Sequence, residues 1–235
     1  MTRTRSNGGK LEFLDRPDLD PRELRTCLRD VERLNRWFGG ARAVVAEVRR
    51  LVEQRGIAGQ IRVLDVGAGG ADIPRALVRW GRHRGLSFRV LACDRHEQTA
   101  GVAAALCDGD SSISILRADA LALPFPAGHF DFVTCSLVIH HLAEQDVIAL
   151  LGTLRRLPRH ALIVTDLERG PLAYAGVWLG THLFCRSRFT HHDGPVSVRR
   201  AFALDELRRI SVRAGCETMR WRRRPCFRTV GVMET

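Results

Sequence analysis

Apolar residues recur along this chain with two different periods, and the switches between them mark its elements. After a polar stretch, 1–19, read as a flexible arm, Leu24, Leu28, Val31 and Leu34 follow one another at helical spacing. Asp20 stands as N-cap, Pro21 at the first helical position and Glu23 three residues after the cap, which predicts a helix start there. Gly39-Gly40 ends that helix, and Val44, Val45, Val48 and Leu51 form one face of a second over about 41–52. From Ile61 the pattern changes to short β-branched runs. Strands are predicted at 61–66, 88–93, 113–116, 130–135 and 161–165. Helical patterns separate them, such as Ile73, Ala76, Leu77 and Trp80, or Val147, Leu150, Leu151 and Leu154. Strands alternating with helices predict an α/β domain with a parallel sheet covered on both faces. Over 171–200 the rhythm breaks: 171–189 is dense in large apolar residues, and 190–197 reads as a loop. Leu207, Ile210 and Ala214 restore a helix, with Gly215 as its C-cap. The tail, 216–233, reads as two strands around the basic turn Arg222-Arg223-Arg224-Pro225. The organisation expected is an arm (1–19), a helical cap (20–56) and a main domain (57–235) with an insertion at about 171–200.

Composition narrows the class. The 235 residues are 45% hydrophobic, enough to bury a core and to exclude global disorder. No apolar run approaches the roughly 18 residues of a membrane span. The first ten residues lack the apolar segment of a secretory leader. Seven cysteines, an odd number with no Cys-x-x-Cys, argue against a disulfide framework or a zinc site. A cytoplasmic, reducing setting without a metal is therefore expected. The net charge of +11 would ordinarily suggest a nucleic acid or an anionic membrane. All but one of the 37 basic residues is arginine, however, and they are scattered, which suits a solvated surface. Arg220-Trp221-Arg222-Arg223-Arg224 reads the same way, as outward positions of a hairpin.

The candidate chemistry begins at Asp65-Val66-Gly67-Ala68-Gly69-Gly70, where a strand runs into a glycine loop and then a helix. Glycines let a backbone turn sharply and approach a ligand closely. Asp94 ends the next strand, where a carboxylate accepts hydrogen bonds from both ribose hydroxyls of a nucleoside. A dinucleotide loop needs a third glycine three residues after Gly69; here that position is Asp72. A carboxylate repels a pyrophosphate and suits a cationic or ammonium-bearing ligand.

With these residues the sequence resembles the class I S-adenosylmethionine-dependent methyltransferases of the small-molecule type, with a quinone-methyltransferase-like core. The likeness covers about 60–170. It rests on the glycine loop, Asp94, Arg117-Ala118-Asp119-Ala120, Leu123-Pro124-Phe125, Phe130-Asp131-Phe132-Val133 and Leu137-Val138-Ile139-His140-His141-Leu142. It departs at Ala71, where many members have a further glycine. The resemblance implies a Rossmann-like, seven-stranded, mostly parallel sheet of order 3-2-1-4-5-7-6 and S-adenosylmethionine as cofactor. It implies that Gly67, Ala68, Gly69 and Gly70 pack on the methionine portion, with Asp65 towards the ammonium. Asp94 would hold the ribose, Arg95-His96 would flank the adenine, Asp119 and Ala120 would hold it, and Ser136 would lie near the sulfur.

His140, close to the expected methyl group, is the candidate general base. Trp37, Phe38, His141, Tyr174 and Trp178 are the candidate acceptor contacts. The apolar stretch 172–184 reads either as a membrane-surface helix or as a pocket wall, the latter preferred because insertions after the fifth strand shape the acceptor site in such folds. Thr190-His191-His192-Asp193 looks metal-like on paper, but adjacent histidines point apart. The reading is methyl transfer to a small aromatic, polyketide-like or quinone acceptor, most readily at oxygen, as in secondary metabolism. No nucleic-acid partner and no stable membrane insertion are expected. An RNA or tRNA methyltransferase, and a non-catalytic cofactor-binding regulator, stay open as alternatives.

Overall fold

The computed structural model describes residues 12, 13 and 19–235. Seven strands form one sheet: β1 (Gln60–Val66), β2 (Ser87–Asp94), β3 (Ile113–Arg117), β4 (Phe130–Ser136), β5 (Pro158–Leu167), β6 (Arg220–Arg224) and β7 (Arg228–Glu234). Their order is β3-β2-β1-β4-β5-β7-β6, as the resemblance implied. β1 to β5 pair in parallel, and β7 runs antiparallel between β5 and β6. The central strands are apolar almost throughout because helices cover both faces.

Three groups of helices bury the sheet. On one face lie α5 (Glu144–Leu154) and α8 (Leu204–Arg213), whose Leu150, Leu151, Leu154, Leu207 and Ile210 pack with Val133, Leu162 and Trp221. On the other lie α2 (Gly40–Arg55) and α3 (Asp72–His83), with Val44, Val48, Leu51 and Leu77 against Val63 and Phe132. Leu51 and Leu154 are fully buried, and truncating either side chain to alanine typically costs about 2–5 kcal/mol. α4 (Glu97–Leu106) packs against β2 and β3. The third group, α1 (Pro21–Trp37), α6 (Pro171–Phe184) and α7 (Arg188–Arg200), stands over the carboxyl ends of the strands. Of the two helices expected as a cap, α1 alone stands at the mouth; α2 is part of the sheet's covering layer.

The predicted start of α1 is present: the Asp20 carboxylate accepts from the backbone N–H groups of Arg22 and Glu23. The arm expected over 1–19 falls largely outside the described residues; Glu12 and Leu19 are buried and Phe13 half-buried. Two local expectations are corrected. The stretch 190–197 is not a loop but the middle of α7, Pro195 included. Gly194 there serves a helix contact: a Cβ would come within 2.7 Å of Thr181 on α6. Burial of Phe189, Val196 and Val198 outweighs the turn signal of Gly-Pro. The arginines expected in the last turn lie in β6 instead, and the turn is Pro225, Cys226 and Phe227. Six cysteines are buried, Cys226 is exposed, and none is bridged. Among the described residues no helix is long and apolar enough to cross a membrane.

Candidate active site

A single cavity of about 420 Å³ runs across the carboxyl ends of β1, β2, β4 and β5 and under α1, α6 and α7. Its floor is the loop between β1 and α3. Gly67, Gly69 and Ala71 all have positive φ (68°, 52° and 56°), which explains why the family favours a glycine where this chain has Ala71. A Cβ on Gly67 would lie 2.2 Å from Val138, so glycine is needed there for packing as well as for turning. Gly67 and Ala68 donate their N–H groups to the Cys93 carbonyl, tying the loop to β2.

The candidate cofactor residues converge on this cavity. Gly67, Ala68, Gly69 and Gly70 line its floor with Asp65. Asp94 and Arg95 line the wall after β2, Asp119 and Ala120 that after β3, and Ser136 that after β4. Asp94 sits across the loop, with one carboxylate oxygen accepting from Gly69 N–H and the other from His96 N–H. Asp119 accepts from Leu121 N–H, which fixes its turn. Asp65 faces Thr134 across the β1–β4 pair and accepts from its hydroxyl at 2.5 Å. Burial, reinforced by the nearby charges of Asp72 and Asp94 and opposed by that hydrogen bond, pushes the Asp65 carboxyl up to about 7. Burial likewise raises Asp72, at the start of α3, with Glu32 adding to the effect and the amide of Asn35 opposing it. A buried group of carboxylates with a destabilised negative charge fits the positively charged sulfonium and ammonium of S-adenosylmethionine, and Asp94 fits its ribose.

The acceptor end is built around His140. The residue lies in a single 3₁₀ turn, Ile139–His141, directly after β4, and is 3% exposed. Its Nδ1 is 2.6 Å from an Asp166 carboxylate oxygen, and its backbone N–H donates to the other oxygen. Asp166 lies near the end of β5 and is held further by Leu167 N–H. Since a carboxylate only accepts, Nδ1 donates its proton in that pair. Nε2 faces Glu12 at 3.9 Å, and His141 Nδ1 lies 3.7 Å from the other Glu12 oxygen. Glu12 is 2% exposed and is met by the Arg200 guanidinium at 3.5 Å. Glu12, His140 and His141 each offer a ligand atom within 4.8 Å of the others, a spacing that a metal ion would need. Arg200, which also donates to the His141 carbonyl, already supplies a cation there.

The remaining candidates divide. Phe38 and His141 line the cavity; Trp37, Tyr174 and Trp178 do not. Trp37 is 61% exposed and stacks on Phe184. Tyr174 lies under Arg199, which also donates to its hydroxyl. Trp178 packs against His182 on the outer side of α6. Helix α6 instead turns its small residues inward, and Gly176, Val177 and Gly180 form the wall. Glycine is needed because Phe227 and Phe38 lie against Gly176 and Gly180, where a Cβ would meet them at 2.4 and 3.1 Å. His191 and His192 do not meet around a common point: His191 faces the Cys185 carbonyl and His192 faces Asp193.

Sequence reasoning missed Glu12, Asp166, Arg200 and Arg228. Asp166 had a signal, an acid near the end of a central strand like Asp94. Arg228 opens β7, lines the cavity and is 4% exposed; it donates to Asn35, which in turn donates to Asp72. Its burial lowers its pKa, while Asp166 and Asp72 support its charge.

A glycine loop after β1, an acid after β2, another after β3 and this strand order together define the class I S-adenosylmethionine-dependent methyltransferase fold. Over residues 63–161 the chain matches the family model described as "Methyltransferase domain". No curated protein matches it in sequence. Among solved structures it is similar to a SAM-dependent methyltransferase from Aquifex aeolicus, at 17% identity and a TM-score of 0.59, over 92% of this chain and 99% of that one. A putative O-methyltransferase from Nostoc punctiforme gives 16% identity and a TM-score of 0.58, over 84% and 56%. Magnesium protoporphyrin IX methyltransferase from Synechocystis, with bound SAH, gives 18% and 0.54, over 83% and 81%.

Proposed function

We propose that the protein methylates a hydroxyl oxygen of a small aromatic, quinone-like or polyketide-like acceptor. The observation that carries this reading is the Asp166–His140 pair at 2.6 Å, with His140 lining the same cavity as the glycine loop and Glu12 lying 3.9 Å from its Nε2. An apolar wall that includes Leu34, Phe38, Val138, Val177 and Phe227 supports a flat, apolar acceptor.

When bound, the cofactor supplies a methyl group on a positively charged sulfur, already activated for displacement. Asp94 would hold the ribose, Asp119 with Ala120 the adenine and Asp65 the ammonium, with Ser136 at the sulfur end of the same cavity. His140 Nε2 takes the hydroxyl proton as the oxygen attacks in line. Asp166 fixes the imidazole orientation and meets the positive charge that develops on the ring. The walls of α1, α6 and α7 exclude water and align the acceptor. Arg95 flanks the adenine end, and His141 contacts the acceptor beside His140.

The test pairs binding with turnover. Calorimetry should detect S-adenosylhomocysteine binding to the full chain. Labelled cofactor with a panel of phenols and hydroquinones should yield a methyl ether. His140→Gln should lower kcat by roughly 10²–10⁴ while leaving S-adenosylhomocysteine affinity unchanged. An undiminished rate in His140→Gln removes the base assignment, and no binding of the cofactor product removes the reading as a whole.

A further inference from the structure

The outer side of α6 has no role in the cavity, yet it is the most apolar surface described. Leu172, Ala175, Trp178, Leu179, His182 and Leu183 are all exposed, and their spacing covers one continuous helical face. Leu172 is 76% exposed and Leu183 65%. The helix contains no Asp, Glu, Lys or Arg. Trp37 extends the patch from α1 by stacking on Phe184, with 5.4 Å between ring centroids. Single exposed apolar residues are ordinary; a contiguous patch of this kind marks a place where something apolar docks.

Charge decides what docks. Arg36 and Arg42 flank Trp37, the latter donating to its carbonyl, and Arg186 follows the end of α6. Arg36, Arg42 and Arg186 are exposed, and Arg33 donates to the Phe184 carbonyl. The acids on the adjoining turns of α1 already have partners, Asp30 with Arg33 and Glu32 with Arg75. An apolar face carrying tryptophans and rimmed by arginine is what an anionic lipid interface attracts, since leucine and tryptophan enter the acyl boundary while guanidinium groups meet phosphates. A second copy of this chain would set one arginine rim against another, with net charge +11 on each side. From this face we infer that the protein docks peripherally on an anionic membrane surface through the outer side of α6 and the end of α1.

The cavity lies under the same helix. Gly176, Val177 and Gly180 line it from the inner side of α6. Phe227 lines it too and is 39% exposed, so it reaches from the cavity to the surface beside α6. Docking would therefore bring the mouth to the lipid boundary and admit an acceptor dissolved in the bilayer. That choice of a lipid-soluble acceptor rests on the methyltransferase reading; the docking itself does not.

Vesicle sedimentation tests it with the full chain. Phosphatidylcholine vesicles containing phosphatidylglycerol should bind the protein, pure phosphatidylcholine vesicles should bind it much less, and added salt should weaken binding. Fluorescence from Trp37 and Trp178 should shift to the blue on binding. The Leu179→Glu/Leu183→Glu double variant, altered only at exposed positions, should lose about tenfold or more of the binding. Its S-adenosylhomocysteine affinity should stay unchanged, which shows an intact fold. Absence of binding to the anionic vesicles overturns the inference. So does equal binding by the double variant, which would mean diffuse adsorption by arginine. A wild-type dimer in sedimentation analysis that the double variant converts to monomer also overturns it, in favour of a protein interface. Loss of cofactor-product binding with vesicle binding intact would instead fail the methyltransferase reading.

Discussion

Asp65 combines a polar duty with a buried position, and the conflict makes the site sensitive to pH. Its folded value of about 7 lies above the 3.8 of an ordinary Asp carboxyl. Between those values the ligand-free fold holds a proton that the unfolded chain has released. The stability linked to this group is thus present at low pH and lost as pH rises through about 7. An ammonium ligand prefers the carboxylate, so binding should run the other way. S-adenosylhomocysteine affinity should rise by up to about tenfold from pH 6 to pH 8 and lose that dependence in Asp65→Asn, as titration calorimetry at a series of pH values would register. Asp65 and Asp94 were legible in the sequence because each lies at the end of a strand, and Asp119 through the resemblance carried by Arg117-Ala118-Asp119-Ala120. His140 was legible through its place after β4. Its partners were not: Asp166 stands 26 positions away in the next strand, and Glu12 comes from a polar stretch without pattern. Trp37, Tyr174 and Trp178 misled because size and apolarity say nothing of which side of a helix meets the cavity.

At the scale of elements, the basic string at 220–224 illustrates how a charge run is absorbed by a fold. In a strand, alternate residues face opposite sides. Arg222 and Arg224 therefore both reach Glu47 on α2, at 3.0 and 2.5 Å, while Arg223 on the opposite face holds Glu168. Burial disfavours the Glu47 charge, but its arginine partners outweigh that and hold its pKa below the ordinary value. The clamp joins α2 to the hairpin at the far edge of the sheet. Its contribution is present above the usual carboxylate range and is lost as pH falls through it. Glu47→Ala should destabilise the fold by about 1–3 kcal/mol in urea melts at neutral pH, and the difference from wild type should shrink under acid conditions. The strands were readable because buried strands are continuous apolar runs. Helix α7 was not, because Gly194-Pro195 carries a turn signal and only the contact with Thr181 reveals why glycine stands there.

Across the whole molecule, charge is sorted. Carboxylates such as Asp65, Asp72, Asp94 and Asp119 surround the cavity of a chain whose net charge is +11, while much of the arginine is paired on outer faces or borders α6. The segment with Glu12 and Phe13 completes the acceptor end from outside. Phe13 packs on Phe189, and its N–H donates to Asp193. Removing residues 1–13 should lower kcat/KM for the acceptor by roughly tenfold through loss of water exclusion, with S-adenosylhomocysteine affinity retained; steady-state kinetics beside calorimetry would measure both. Topology was legible as a class, but the meeting of distant segments was not, since no local pattern encodes it. That meeting also sets a timetable. Phe13 finds Asp193 across 180 positions, and Asn35 finds Arg228 across 193. β7, made after β6, inserts between β5 and that hairpin partner. A nascent chain can thus build the glycine loop and its neighbouring acids early. It acquires a closed acceptor chamber only once Phe13 has met Asp193 and Asn35 has met Arg228.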